Sequence, residues 1–162
     1  MAQLPVRQPE WIATAPLVVQ RERRVFAPPS AVWKHIADHE RWPEWFTALK
    51  QVQVTGAAEG IGGQRVVSLP GVTVGEVFTA WEPNERFAFA VISGPKLFAA
   101  MAESVVIEPD EAGCKVIYTQ GIEPAGGFGW LLRLVRRRLS SQLAKGLDGL
   151  ATRAEAERAT DG

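Results

Sequence analysis

The sequence predicts an α+β fold: a seven-stranded curved antiparallel sheet around one long C-terminal helix, with two short helices after the first strand. Three observations predict it. Between residues 49 and 122, six strand-length segments follow one another with only short Gly/Pro-rich breaks. Connections this short join antiparallel neighbours, because a parallel crossover needs about a dozen residues. A proline pair, Pro28-Pro29, opens a helical stretch directly after the first strand, and from about residue 128 an amphipathic pattern runs almost to the C-terminus. Strands and helix are segregated along the chain, as in α+β rather than alternating α/β proteins.

Each element has a local cause. Residues 1–15 are interrupted by Pro5 and Pro9 and show little periodicity, so they read as an arm anchored by Trp11 and Ile12. Leu17 to Phe26 is a strand with one wet face; Val18/Phe26 and Val19/Val25 give opposite parities, and the inward face stays open. Pro29 suits the first turn of a helix running to about Ala37, where a missing N–H costs nothing. In it Val32, Trp33 and Ile36 share one face, while Lys34, His35 and Asp38 point away. A shorter turn covers Trp42 to Phe46, with Pro43 near its start. Strands are expected at 49–55, 63–69, 72–82, 85–93, 98–108 and 114–122, separated by turn residues such as Pro70-Gly71, Pro83-Asn84 and Gly94-Pro95. In the last helix, 128 to 157, Leu132, Val135, Leu139, Leu143, Gly146 and Leu150 fall in a band about 80° wide, with Gly146 allowing close approach. The chain thus divides into an arm (1–15), a single domain (16–157) and a tail expected to fray (158–162).

Composition narrows the function classes. With 162 residues, 46% apolar and 22% charged, the chain can bury a proper core. Eighteen Lys and Arg balance eighteen Asp and Glu, so no net field draws the molecule to DNA. Cys114 stands alone, which excludes an internal disulfide and a cysteine-rich zinc site. No apolar run reaches the roughly 18 residues of a membrane span. The N-terminus has no apolar h-region, so no signal peptide and a cytoplasmic location are expected. Six tryptophans and seven phenylalanines stand out against one tyrosine. A strongly curled sheet and a straight helix do not match in shape, and the expected consequence is a gap between them.

The run Phe26-Ala27-Pro28-Pro29-Ser30-Ala31-Val32-Trp33, followed by Ala37-Asp38-His39-Glu40-Arg41-Trp42-Pro43-Glu44-Trp45, resembles the opening of the START-like (SRPBCC) superfamily, in its polyketide cyclase/dehydrase-type branch. Glycine-rich 60–63, the stretch Ala80-Trp81-Glu82-Pro83-Asn84-Glu85-Arg86-Phe87, then Ile107-Glu108-Pro109, Gly113 and the long last helix continue the likeness over about 17–155. Ala27 departs from the pattern where an N-capping Ser or Asp is common, and Ala80 replaces an acidic residue. The resemblance implies a helix-grip (START/Bet v 1-like) fold around an apolar cavity holding lipids, sterols, quinones or polyketides, with or without cyclase activity.

Strand parity assigns the wall. A three-residue loop pairing Glu82 with Arg86 places Trp81 opposite Phe87, Thr79 opposite Phe89 and Val77 opposite Val91, with Glu76 and Glu82 in water. A two-residue loop instead puts Glu76 inside. The first is preferred, because burying an unpaired carboxylate costs on the order of several kcal/mol. The expected cavity side chains are Trp42, Trp45 and Phe46 as a cap, and Trp81, Phe87, Phe89 and Val91 from the hairpin. Met101, Glu103 and Val105 follow on the next strand, and Val116 and Tyr118 on the last, with Gln120 also inward. Phe128, Leu132, Val135, Arg136 and Leu139 come from the helix. Glu103 has three readings: paired with a group such as Arg65 or set at the rim, hydrogen-bonding a ligand together with the Tyr118 hydroxyl, or acting with Tyr118 as a weak acid–base candidate. Gly126, Gly127 and Gly129 permit the turn into the helix or hinge a gate carrying Phe128 and Trp130.

Other chemistry is weak. His35 and His39 have the spacing of a helical metal pair but no third ligand, so no metal and no cofactor are expected. No nucleophile motif is present, and Cys114 reads as a buried thiol. Arg133, Arg136, Arg137 and Arg138 point in different directions around the helix, a solvated face; Arg136 flanks the stripe and is placed to meet an acidic ligand head. The leading function is binding or transport of a hydrophobic small molecule. The alternatives are a polyketide cyclase/dehydratase and a membrane- or ribosome-associated module, the chain being a monomer or weak homodimer.

Overall fold

The computed structural model describes residues 1–160, with side chains described through Glu157. In chain order it contains β1 (Ala2–Gln3), a 3-10 turn (Pro9–Thr14), β2 (Leu17–Val25), α1 (Pro29–Ala37), a second 3-10 turn (His39–Glu44), β3 (Gln51–Val54), β4 (Gln64–Leu69), β5 (Val72–Glu82), β6 (Arg86–Gly94), β7 (Phe98–Asp110), β8 (Gly113–Pro124) and α2 (Gly129–Thr160). Of the tail expected to fray, 158–160 continue α2 to Thr160, and 161–162 lie outside the described residues.

The sheet order is β2-β8-β7-β6-β5-β4-β3, all antiparallel, as the short turns require. The sheet has eight strands, one more than the seven expected. The extra strand is β1, which pairs Ala2 with Gly94 and Gln3 with Ser93, beyond the Arg86–Ala90 stretch where β6 pairs with β7. The N-terminal segment is docked along the sheet. Its Ile12 is buried, and Ile12 and Ala15 pack on Gly121, where a Cβ would come within 3.1 Å of both. On β2 the open parity resolves to Leu17, Val19 and Val25 inside and Phe26 outside.

α1 and the second 3-10 turn carry the chain from edge strand β2 to the opposite edge at β3, and α2 then packs against β2 and α1. The buried stripe of α2 is concentrated toward its C-terminal end, in Leu143, Leu147, Leu150, Ala151 and Ala154. Two glycines set the closeness of that contact. A Cβ on Gly146 would sit 2.6 Å from the Phe46 ring, and one on Gly149 would sit 2.2 Å from the Trp45 carbonyl oxygen. Nearer its start, α2 stands off the sheet: Leu132 is buried, but Val135 and Leu139 are half-buried.

The β5–β6 hairpin corrects the parity argument. Glu82 pairs with Arg86 around Pro83-Asn84-Glu85, with Asn84 in the left-handed region at φ 67°, as a three-residue loop requires. A register shift at Thr79 then intervenes, so Phe78 faces Phe89, Val77 faces Ala90 and Glu76 faces Val91. One extra residue in one strand reverses the inward set beyond it. Glu76 and Phe78 are buried, not exposed. The cost of burying Glu76 is offset by Arg65, its register partner on β4.

Candidate functional site

The interior has two unlike halves. At the end closed by α1 and the second 3-10 turn, aromatic rings fill the space. Trp33 meets Trp81 edge-on at 5.1 Å, His39 stacks on Phe78 at 4.7 Å, Trp42 lies 4.7 Å from Trp45, and Phe87 lies 5.1 Å from Phe78. At the other end the half-lifted start of α2 leaves a cavity of about 520 Å³. That is within the range of roughly 300–1,000 Å³ typical of small-molecule sites.

Register locates its mouth and floor. The β4–β5 hairpin (Leu69 opposite Val72), the β6–β7 connection and the β7–β8 pair Phe98–Pro124 all fall at one end, where α2 begins. Leu69, Pro70, Val72, Pro95, Leu97 and Phe98 form an apolar rim there, with Thr47, Ala48 and Leu49 from the loop before β3 and Arg138, Leu139 and Gln142 from α2. Val67, Val74, Phe89, Val91 and Met101 make the walls. The buried floor is polar: Arg65, Glu76, Glu103, Tyr118 and Gln120.

The floor is tightly wired. Arg65 Nε donates to Glu76 Oε2 at 2.6 Å, and its guanidinium lies 4.1 Å from the Trp42 ring centroid. Arg65 Nη1 also donates to His39 Nδ1 at 3.1 Å, while His39 Nε2–H donates to the Ala58 carbonyl at 2.8 Å. A carbonyl can only accept, so the tautomer is assigned by its partner. Burial, then the neighbouring Arg65 charge, pulls His39 down to about 4, so the imidazole is neutral. Burial raises the Glu76 carboxyl, and Arg65 pulls it back. Glu103 is pushed up to about 8, chiefly by burial and next by the Glu76 charge; the hydrogen bond from Gln120 Nε2 opposes this. Tyr118, hydrogen-bonded to Glu103, is raised by burial and then by that carboxylate, and stays a phenol. Gln120 Oε1 is buried without a protein partner among the described residues.

Of the residues expected in the cavity, the structure gathers Trp42, Phe46, Phe89, Val91, Met101, Glu103, Tyr118 and Leu139. The others lie elsewhere. Trp45 is held in the core against Gly149, and Trp81 and Phe87 belong to the aromatic cluster. Val105 and Val116 share the inward parity but sit further along their strands, beyond the floor, in filled core. Leu132 is buried, and Val135 packs against the core without lining the cavity. Phe128 is 39% exposed outside it. Arg136 turns to β2, donating to the Val18 carbonyl at 3.1 Å; about 200° of helix rotation separates it from Arg138, which lines the rim instead. The partner expected for Glu103, Arg65, is engaged by Glu76, and Glu103 meets Gln120.

Sequence reasoning preferred Glu76 in water, placing it inside only for a two-residue loop, and offered Arg65 as a partner for Glu103 rather than for Glu76. The alternation of Arg65, Val67 and Leu69 on β4 was legible, but the bulge that turns Glu76 inward to meet Arg65 was not. Both ring nitrogens of His39 are taken by protein groups, and no three His, Cys, Asp or Glu side chains cluster to hold a metal among the described residues. Cys114 Sγ donates to the Ala27 carbonyl at 3.4 Å, and burial pushes the thiol up to about 11.

Comparison with known proteins agrees with this architecture. Residues 16–155 match the family described as polyketide cyclase/dehydrase and lipid transport. The uncharacterized protein Rv2574 of Mycobacterium tuberculosis is 30% identical over 145 residues, covering 83% of this chain and 87% of the relative. The crystal structure of TTHA0849 from Thermus thermophilus superposes with a TM-score of 0.72 at 26% identity, over 87% of this chain and 99% of that one. The Zhui aromatase/cyclase of Streptomyces superposes at 0.74 with 15% identity, over 86% and 93%. With this match over most of its length, the curled sheet, the gripped helix and the cavity between them, the chain belongs to the polyketide cyclase/dehydrase and lipid transport family and has its helix-grip fold.

Proposed function

We propose that this protein binds a hydrophobic small molecule in the cavity, tail toward the apolar rim and a neutral hydrogen-bonding head on the floor. The observation that carries it is a cavity of about 520 Å³ with apolar walls and an unsatisfied amide oxygen, Gln120 Oε1, at its base. Burial of apolar surface supplies about 25 cal/mol per Å² before ordering costs. The floor adds selectivity. Its one cation, Arg65, is matched by Glu76, and Glu103 is protonated near neutral pH, so nothing there compensates a ligand carboxylate. A hydroxyl both donates and accepts, and suits either orientation of the Gln120 amide.

Native mass spectrometry of recombinant protein, followed by solvent extraction, tests occupancy directly. A long-chain alcohol should bind about tenfold more tightly than the carboxylate of equal length, and Gln120→Leu should weaken the alcohol and so narrow that preference. Val91→Trp should abolish binding of both while leaving thermal stability intact. Tight binding unchanged in Val91→Trp would remove the cavity from the explanation.

A cyclase or dehydratase reading is supported by one feature, the protonated Glu103 hydrogen-bonded to the Tyr118 phenol beside empty space. Such a pair can pass a proton to or from a bound polyketide-like carbonyl. Turnover of such a compound by wild type, and its loss in Glu103→Gln with binding retained, would favour this reading.

A further inference from the structure

The exposed apolar residues near the cavity mouth have no use inside the cavity. Trp130 is 64% exposed, Leu134 71% and Phe128 39%, all at or just before the start of α2. At about 100° per residue, Trp130 and Leu134 lie about 40° apart on one face of the helix, with Arg133 and Arg137 on one flank and Arg138 on the other. These three arginines are exposed and take part in no ion pair among the described residues, whereas Arg136 is turned to β2. The chain has no Asp or Glu between Glu123 and Asp148, yet it carries five basic residues there, in a protein of zero net charge. The arginines that looked scattered when measured from the buried stripe thus flank one exposed apolar ridge.

The same place is the rim. Arg138 lines the cavity, and the Ala125 N–H donates to the Leu97 carbonyl at 2.8 Å, tying the segment before α2 to the β6–β7 connection with its exposed Lys96.

We propose that the first turns of α2, through Trp130 and Leu134 flanked by Arg133, Arg137 and Arg138, dock the cavity mouth on an anionic lipid bilayer. An apolar ridge bordered by long cationic side chains fits the water–lipid boundary: the rings and leucine enter below the headgroups while guanidinium groups stay at the phosphates. Charge complementarity selects the occupant, and the exposed tryptophan and leucine favour lipid over a nucleic-acid backbone, which would use the arginines alone. A mouth facing the bilayer gives an apolar occupant a route that avoids water. The docking itself does not depend on what the cavity holds.

Sedimentation with phosphatidylcholine vesicles, with and without phosphatidylglycerol, at low and high salt, tests this. Wild type should bind the anionic vesicles at low salt and release at high salt. Arg133→Glu/Arg137→Glu should lower the partition coefficient about tenfold or more. Trp130→Ser/Leu134→Ser should lower it comparably, and both variants should keep the wild-type unfolding midpoint. Absence of binding to anionic vesicles at low salt, or equal binding by the Trp130/Leu134 variant, overturns the proposal. So does RNA binding that exceeds vesicle binding and survives Trp130→Ser/Leu134→Ser.

Discussion

Arg65 is the residue on which the floor depends, and its energetics follow from burial. It is 1% exposed, holds Glu76 and His39, and lies over the Trp42 ring. Truncating one partner of a buried pair leaves the other charge uncompensated, so Arg65→Met should cost about 3–5 kcal/mol in urea unfolding. Arg65→Met/Glu76→Met should recover much of that loss, because neither charge then remains. A second residue-scale expectation concerns pH. Glu103 rises from an ordinary 4.5 to about 8 on folding, so the folded state holds a proton the unfolded chain has lost. Its stabilising contribution is complete below about 4.5 and is lost as pH rises through about 8. His39 has the opposite sign: its value falls to about 4, so stability is gained as pH rises from about 4 to 6.5. His35, also lowered by burial, has the sign of His39, and neither histidine contributes a slope above about 6.5; there the fall belongs to Glu103 together with Glu76, whose carboxyl burial raises in the same direction. Glu103→Gln should lessen the fall in unfolding free energy between about 6.5 and 8, as chemical denaturation at a series of pH values would read out.

Elements were legible where their signals are local. Pro29 starts α1, Asn84 and its neighbours turn the β5–β6 hairpin, and the stripe of α2 lies where a 3.6-residue period puts it. The register shift at Thr79 was not legible, since a bulge is selected by what the strand must pack against on both sides. Gly146 was readable as a point of close approach, but Gly149, which meets backbone, was not. The two glycines are expected to respond differently to alanine. Either substitution gains about 1 kcal/mol in helix propensity. At Gly149 the new Cβ meets the Trp45 carbonyl at 2.2 Å, and overpacking against backbone should leave a net loss of about 1–2 kcal/mol. At Gly146 the neighbour is the Phe46 ring, which borders the cavity and can swing into it. Gly146→Ala should therefore be close to neutral in stability and should weaken binding of an apolar probe dye.

At the scale of the whole molecule, the interior is divided by depth. Aromatic rings fill the end under α1, and the start of α2 stands away from the sheet at the other, so the space is left open at the mouth. No helix among the described residues is long and apolar enough to cross a membrane. Met101, Glu103 and Tyr118, expected in the wall, line the cavity from β7 and β8, whose register is regular over that stretch. The expected residues that do not line it lie in the aromatic cluster and core, on the lifted helix, or beyond the floor. Composition, turn chemistry and periodicity were enough to specify the architecture, because each acts over a few neighbouring residues. How far along each strand the packing stops, which carboxylate goes inside, and where the arginines of α2 come to rest were set by assembly. Those outcomes depend on one bulged residue and on the separation of sheet and helix, and no short stretch of chain encodes either.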